Sequence, residues 1–458
     1  MTRSPLSRHI VPAAPAGIAV VLLGVTLAFR TTPAAARPGD PTFADDVAPI
    51  FYKNCVPCHH DGGMAPFSLV EYDTAAAHVD QMRGAVEQGD MPPWHAAGPR
   101  GVFVNDRRLA DADKATILRW IDSGMKPGDL THLPPKPEFP TGWVLGEPDA
   151  ILTMPDSFTV PAAGKVDYQY FQIKTPFTDE RWIQSIEVRP TARAVVHHVL
   201  VYAYTPPIPQ ASATPPVPRP AGAPAFQPTL IRNRAWSATP KDEPRDDSLH
   251  GPPRVLGAVI GVYVPGTSTI EFPKGTALRL RPGTVLTFQM HYTAHGHEMT
   301  DRTSVGFHFA SAPPAEEVFV TQFINGAFTL PAGAKDVAVP AEIGAGRPIK
   351  IWGILPHTHL RGTRWQYTLV QPDSSRQVVL DVPHYDFNWQ TYYMFATPLE
   401  VPAGSKLESM AWYDNSATNK HNPDPTVDVH WGDQTWNEMQ YTSMIYSVAR
   451  PKATPGVH

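Results

Sequence analysis

Proline sets the first limit on how this chain can fold. It occurs 52 times in 458 residues, and each one locks φ and removes a backbone donor, so it is excluded from helix interiors and central strands. Long helices are therefore not expected. From about residue 141 onward the prolines and glycines leave short alternating segments between them: YQYFQI, WIQSIEV, VVHHVLVYAY, TVLTFQMHYT and WQYTLV. Apolar and polar positions at period two, punctuated by turn residues, predict β-sandwich material. The stretch TPPIPQASATPPVPRPAGAPAFQPTL (205–230) is too proline-rich for a strand. It reads as an insertion, because strand-like sequence resumes at GAVIGVYVPG.

The N-terminal part differs. Arg3 and Arg8 precede an apolar run from Ile10 to Phe29, and Ala34-Ala35-Ala36 offers a small-residue cleavage site, the pattern of an export signal over residues 1–36. About 20 apolar residues could also anchor the chain in a bilayer, but Pro12 and Pro15 interrupt the run, which favours cleavage and a periplasmic or secreted mature protein. No later segment is apolar enough to span a membrane. The net charge of −5, with 18% charged residues, gives no reason to expect nucleic acid or an anionic membrane as partner.

An exported chain is free to form disulfides, yet its two cysteines both lie in CVPCH. C-x-x-C-H is the attachment pattern of c-type haem: Cys55 and Cys58 for the thioethers, His59 as proximal ligand. A redox C-x-x-C needs no following histidine, and a zinc site needs further ligands nearby. TFADDVAPIFYKN before the motif carries apolar residues at 43, 47, 50 and 51 with Thr42 as cap. DADKATILRWIDSG repeats the helical pattern and closes at Gly124. Two such helices around a haem resemble a small cytochrome c over about residues 40–130. GDMPPW offers Met91, beside two prolines, as the sixth ligand, with His95, His78, His60, Met64 and Met82 as rivals.

Of the 19 histidines, five fall at three places in the β-region: His197 and His198 in VVHH, His291 in FQMHYT, His357 and His359 in PHTHLRG. A lone histidine in a strand is more often packed than ligating, but three such places favour metal. His357 and His359, at i and i+2, would share a strand face. Adjacent His197 and His198 would not, unless the strand bulges. Zinc sites often add a carboxylate, and a facial iron triad usually has an acid where Thr358 stands. Imidazole with a soft thioether suits copper, and Met410, Met439 and Met444 are candidates. His295 and His297 read as solvated loop residues.

HHVLVY, QMHYT, PHTHLRG and NEM, in that order, resemble the copper type II ascorbate-dependent monooxygenases over about residues 145–447; DFNWQ (386–390) and KLESMAWYDNS also look like family elements. The resemblance implies two β-sandwich (jelly-roll-like) domains with two copper ions facing across a cleft. His197, His198 and His291 match the electron-transfer copper, and His357, His359 and Met439 the oxygen-activating one. Met439 is preferred because it alone sits in the NEM context. The resemblance further implies O2 as co-substrate and hydroxylation of a C–H bond in a small organic molecule. Electrons would come from ascorbate or, through the fused haem, from a periplasmic redox protein.

The expected fold is therefore multidomain: a small all-α cytochrome c domain with linker (37–140), then two all-β sandwiches (141–312 and 313–458). Departures from the family narrow the substrate. Both cysteines are committed to haem, so packing alone must stabilise the copper domains. Leu355 stands where peptidylglycine enzymes place a carboxylate-holding arginine, and Ser443 where they place a substrate-contacting tyrosine, which argues against peptide amidation. A haem/copper electron carrier or copper store without hydroxylase activity is the alternative, and an oxidase that reduces O2 without hydroxylating is a further rival.

Overall fold

The computed structural model describes residues 39–450 except 62, 64, 140–141, 207–256, 265–266 and 433. The expected export signal, most of the proline-rich insertion and Met64 lie outside the described residues.

Residues 43–132 form a small helical unit. Thr42 Oγ1 accepts from the Asp45 N–H (3.3 Å), while the Asp46 carboxylate accepts from the Thr42 N–H (2.8 Å), a reciprocal cap that starts the first helical segment. Phe43–Val47 is wound as a π-turn and Ala48–Asn54 continues as an α-helix up to Cys55. Phe43, Val47 and Phe51 are fully buried and pack with Ile117 and Trp120 of the Asp111–Asp122 helix, whereas Ile50 is only partly buried. Gly124 follows the C-cap of that helix at φ +92°, a conformation open to glycine without strain. Tyr72–Ala77 and Val79–Gln88 complete the unit.

The remainder is β-structure, because its alternating segments each have one face to bury. YQYFQI, TVLTFQMHYT, VVHHVLVYAY and the GAVIGVYVPG segment form one four-stranded sheet, in the order Gln169–Lys174, Val285–Tyr292, Val196–Tyr204, Ala258–Tyr263. A second four-stranded sheet runs Val337–Gly344, Lys406–Tyr413, Gly362–Val370, Arg376–Val382. Each packs on part of one long sheet through its own core: Val199, Leu286 and Phe288 against Ile183, Val188 and Phe307 in the first half, and Trp365, Tyr367 and Leu407 against Ile351, Ile354 and Tyr446 in the second.

That long sheet is common to both halves. Ala150–Thr153, Ser304–Phe309, Arg181–Arg189 and Thr276–Leu280 continue directly into Glu316–Ile324, Tyr441–Ala449, Ile349–His357 and Tyr393–Val401. The junction is a parallel ladder pairing Glu316, Glu317 and Val318 with Thr276, Ala277 and Leu278. The two sandwiches thus share a backbone hydrogen-bond network rather than meeting only through side chains.

The helical unit is tied in by the segment that follows Met91. Phe103 bridges to Phe395, Val104 N–H donates to Met394 O (2.9 Å) and Ala396 N–H to Val102 O (2.9 Å). Asn105 Nδ2 donates to Tyr392 O (2.6 Å), and Trp94 and Phe103 pack against Tyr393 with ring centroids 5.1 and 5.7 Å away. This segment covers the edge strand Tyr393–Val401, whose unpaired backbone groups would otherwise be open to another chain.

Candidate metal centres

The bulge that adjacent histidines require is present. Val196 pairs with Tyr292 and His198 with His291, and the register shifts between Val196 and His198. His197 is therefore the extra residue, which turns its ring onto the side of its neighbour. Nδ1 of His197 lies 3.1 Å from Nδ1 of His198, and Nδ1 of His291 lies 3.4 Å from the same atom. Two donors each about 2.0–2.1 Å from a common ion at a tetrahedral angle stand roughly 3.3 Å apart. The spacing fits one metal bound through three Nδ1 atoms, and among the described residues these three have ligand atoms grouped closely enough to hold an ion. Tyr168 packs its ring beside His198 (5.7 Å) and His291 (4.9 Å).

His357 and His359 come together differently from the parity expectation. The Ile349–His357 strand ends at His357, so His359 lies in the turn beyond it and not on the strand face. Their ring centroids are still only 5.2 Å apart. What holds them is a set of tethers from elsewhere in the chain. Nδ1 of His357 is 2.8 Å from Gln390 Oε1, and Nδ1 of His359 is 3.2 Å from Asn437 O. Each acceptor takes the Nδ1 proton and leaves Nε2 free as a ligand. The Tyr385 hydroxyl clamps the intervening residue, accepting from Thr358 N–H (3.2 Å) and donating to Thr358 O (3.0 Å).

Glu438 joins this turn to the methionine. Its buried carboxylate accepts from the backbone N–H of His359 (2.9 Å), Arg361 (2.7 Å) and Met439 (3.3 Å). Burial pushes the carboxyl up to about 7 against those three donors and the nearby Arg361 charge. Met439, His357, His359 and His198 face one cavity between the two β-halves. Met444 is instead buried in the second core, and Met410 faces a separate groove. Phe387 stands between the two histidine groups, 5.7 Å from the His197 ring and 5.8 Å from that of His359.

All five imidazoles are held neutral, as metal ligation requires. Burial depresses His357 to about 4, opposed by the Gln390 bond. Burial and the neighbouring His197 and His357 depress His291 to about 3. His197, His198 and His359 are lowered too, burial being the largest cause in each. The sign follows. In the unfolded chain these groups titrate near 6.5, so their contribution to stability is complete above that pH and is lost as pH falls toward the folded values. For metal-free protein, a histidine at about 4 gives up about 2 kcal/mol between pH 7.5 and pH 5. The urea midpoint should fall accordingly over that interval and be insensitive to these groups above pH 7.5.

In the helical unit, Nδ1 of His59 is 3.2 Å from Phe67 O, which again leaves Nε2 free. Burial pushes the Cys55 thiol up to about 12 and raises Cys58 as well. A reactive dithiol has the opposite shift, so the pair is not poised as a thiolate nucleophile. Met91 is half-buried in the turn after the Val79–Gln88 helix, its N–H bonded to Ala85 O (3.1 Å). Of its rivals, His95 faces Asp386 and His384 of the second β-half, His60 stacks on Phe139, His78 stacks on Phe67, and Met82 is buried in the helical core. His295 and His297 are exposed.

Two histidine groups thus lie on the two β-halves, and a methionine faces the same cavity as the second group. Residues 339–446 match the family model described as copper type II ascorbate-dependent monooxygenase, C-terminal domain. The match supports that family, whose members are copper-dependent oxidoreductases, and it includes His357, His359 and Met439. No curated protein matches the chain. Solved structures that align with it include the major capsid protein P2 from bacteriophage PM2 (9% identity, 66% of this chain, 98% of that chain, TM-score 0.27). Another is the infectious bursal disease virus VP2 subviral particle (10% identity, 66% of this chain, 73% of that chain, TM-score 0.18). Those alignments are too weak to bear on fold or function. Among the described residues no helix is long and apolar enough to cross a membrane.

Proposed function

We propose that this chain is an exported copper monooxygenase that hydroxylates a C–H bond of a small organic molecule, with electrons delivered through a c-type haem on its N-terminal unit. The observation that carries the reading is the convergence of His198, His357, His359 and Met439 on one cavity within a chain matched by the copper monooxygenase family model. His197, His198 and His291 would hold one copper through Nδ1; His357 and His359, through Nε2, with Met439 would hold the other. Cys55, Cys58 and His59 would attach the haem, with Met91 as sixth ligand. The chemistry such metals supply is the two-electron use of O2, in which RH, O2, two electrons and two protons give ROH and water.

The protein's own part is positioning. Gln390 and Asn437 fix the tautomers of the histidine pair, and Glu438 and Tyr385 hold the turn. The soft methionine and the cavity both favour oxygen chemistry over simple storage. Metal analysis tests the proposal directly: two coppers and one iron per chain are expected, and absence of copper after reconstitution would remove it. Oxygen uptake by reduced protein should rise only with an organic substrate. Substrate-independent uptake would indicate an oxidase, and none a carrier. Gln390→Leu should weaken metal binding at the His357/His359 pair about 10–100-fold in chelator competition, leaving the three-histidine group unaffected.

A further inference from the structure

The cavity shared by the two histidine groups has no ionised wall. Leu200, Val259, Val262 and Leu355 supply apolar surface, four tyrosine rings close much of the rest, and no Asp, Glu, Lys or Arg among the described residues lines it. Several of its neutral polar groups are already paired, and the buried Tyr441 hydroxyl is an uncharged exception without a partner. The Tyr392 hydroxyl is 2.6 Å from Ser443 Oγ, Gln289 Nε2 donates to the Tyr170 hydroxyl (2.8 Å), and Gln390 holds His357. The free space is about 30 Å³, room for a few water-sized bodies. An ion entering it would lose its hydration and find no opposite charge on the wall.

Resting on the hydroxylase reading, we propose that the substrate of this cavity is small, uncharged and mostly apolar, its size and shape read by Leu200, Val259, Val262 and Leu355. Copper(I) at the histidines would not alter this preference. It repels an ammonium group, and as a soft ion it takes carboxylate oxygen poorly. Molecules recognised through a carboxylate or an amine would find no counter-charge on the wall.

Propane, acetate and ethylammonium are alike in size, small enough for this space, and differ in charge, and equilibrium binding in sealed vessels to the full-length, copper-loaded, reduced protein compares them. Propane should bind saturably and at least about 100-fold more tightly than either ion. Equal or tighter binding of acetate or ethylammonium, or no saturable binding of propane, overturns the inference. Leu355→Arg should gain acetate binding and lose propane preference; a folded variant, with unchanged visible and circular dichroism spectra, that gains none would also overturn it. Should that variant fail to fold, the comparison on unaltered protein still decides. Bound propane without oxygen uptake would count against the hydroxylase reading and leave the cavity's preference standing. Hydroxylation of acetate in preference to propane would do the reverse.

Discussion

On the proposed function, Met439→Ile should lose substrate-dependent oxygen uptake by at least about 100-fold in kcat/KM, a transition-state loss of roughly 2.7 kcal/mol or more, while the proposed haem's spectrum and metal binding by His197, His198 and His291 should stay unchanged. The reasoning is local. The Met439 backbone is fixed independently of its side chain, its N–H by Glu438 and its carbonyl by the Tyr413 hydroxyl at 2.7 Å. Isoleucine has nearly the same volume, so packing should cost less than about 1.5 kcal/mol. What disappears is the one thioether facing the cavity beside His357 and His359, and with it the soft donor that favours the reduced metal. A variant with undiminished uptake would show that Met439 is a packing residue and that the histidine pair is completed by something else.

The second large effect concerns stability. Arg361 is 1% exposed, its Nε donating to Asn415 Oδ1 (2.8 Å) and its Nη1 to Trp436 O (3.0 Å), beside the buried Glu438. Arg361→Met removes the charge and leaves those acceptors behind, which for a buried partner costs about 3–5 kcal/mol. The urea midpoint should drop accordingly. Arg361→Met combined with Glu438→Gln should recover part of the loss, because the stranded carboxylate is then gone. Arg376→Ala is the control: its pair with Glu408 is exposed at the arginine and partly exposed at the glutamate, and contributes at most about 1 kcal/mol. Equal effects from Arg361→Met and Arg376→Ala would refute the account of a buried network.

Local pattern carried a good part of the fold and the site. The helices flanking CVPCH follow from apolar spacing, a cap and a terminal glycine, all properties of neighbouring residues. The β-segments follow from alternation between prolines. The bulge at His197 was expected only through the family resemblance, which assigns both adjacent imidazoles to one ion; parity alone puts them on opposite faces. What was not legible depends on partners far along the chain. Gln390 reaches His357 across 33 residues and Glu438 reaches His359 across 79. DFNWQ and NEM do contain these two residues, so a signal existed, but which of their side chains turn toward the histidines is a tertiary fact. Arg361 likewise lies inside PHTHLRG, whereas Tyr385 gave no such signal. The His357/His359 parity argument missed for a related reason: the strand stops at His357, and the turn beyond it is held by Glu438 and Tyr385 rather than by pleating.

The parallel ladder between Thr276–Leu280 and Glu316–Ile324 bears on modularity. The matched stretch begins at residue 339, after the Glu316–Ile324 strand that pairs with Tyr441–Ala449 along its whole length. A fragment cut at residue 339 would therefore leave Tyr441–Ala449 without a neighbour on one side. Cutting between the halves, before Glu316, would bare the outer edges of both Glu316–Ile324 and Thr276–Leu280. The long sheet therefore ties the two histidine-bearing halves together through paired backbone, and either cut would expose strand edges.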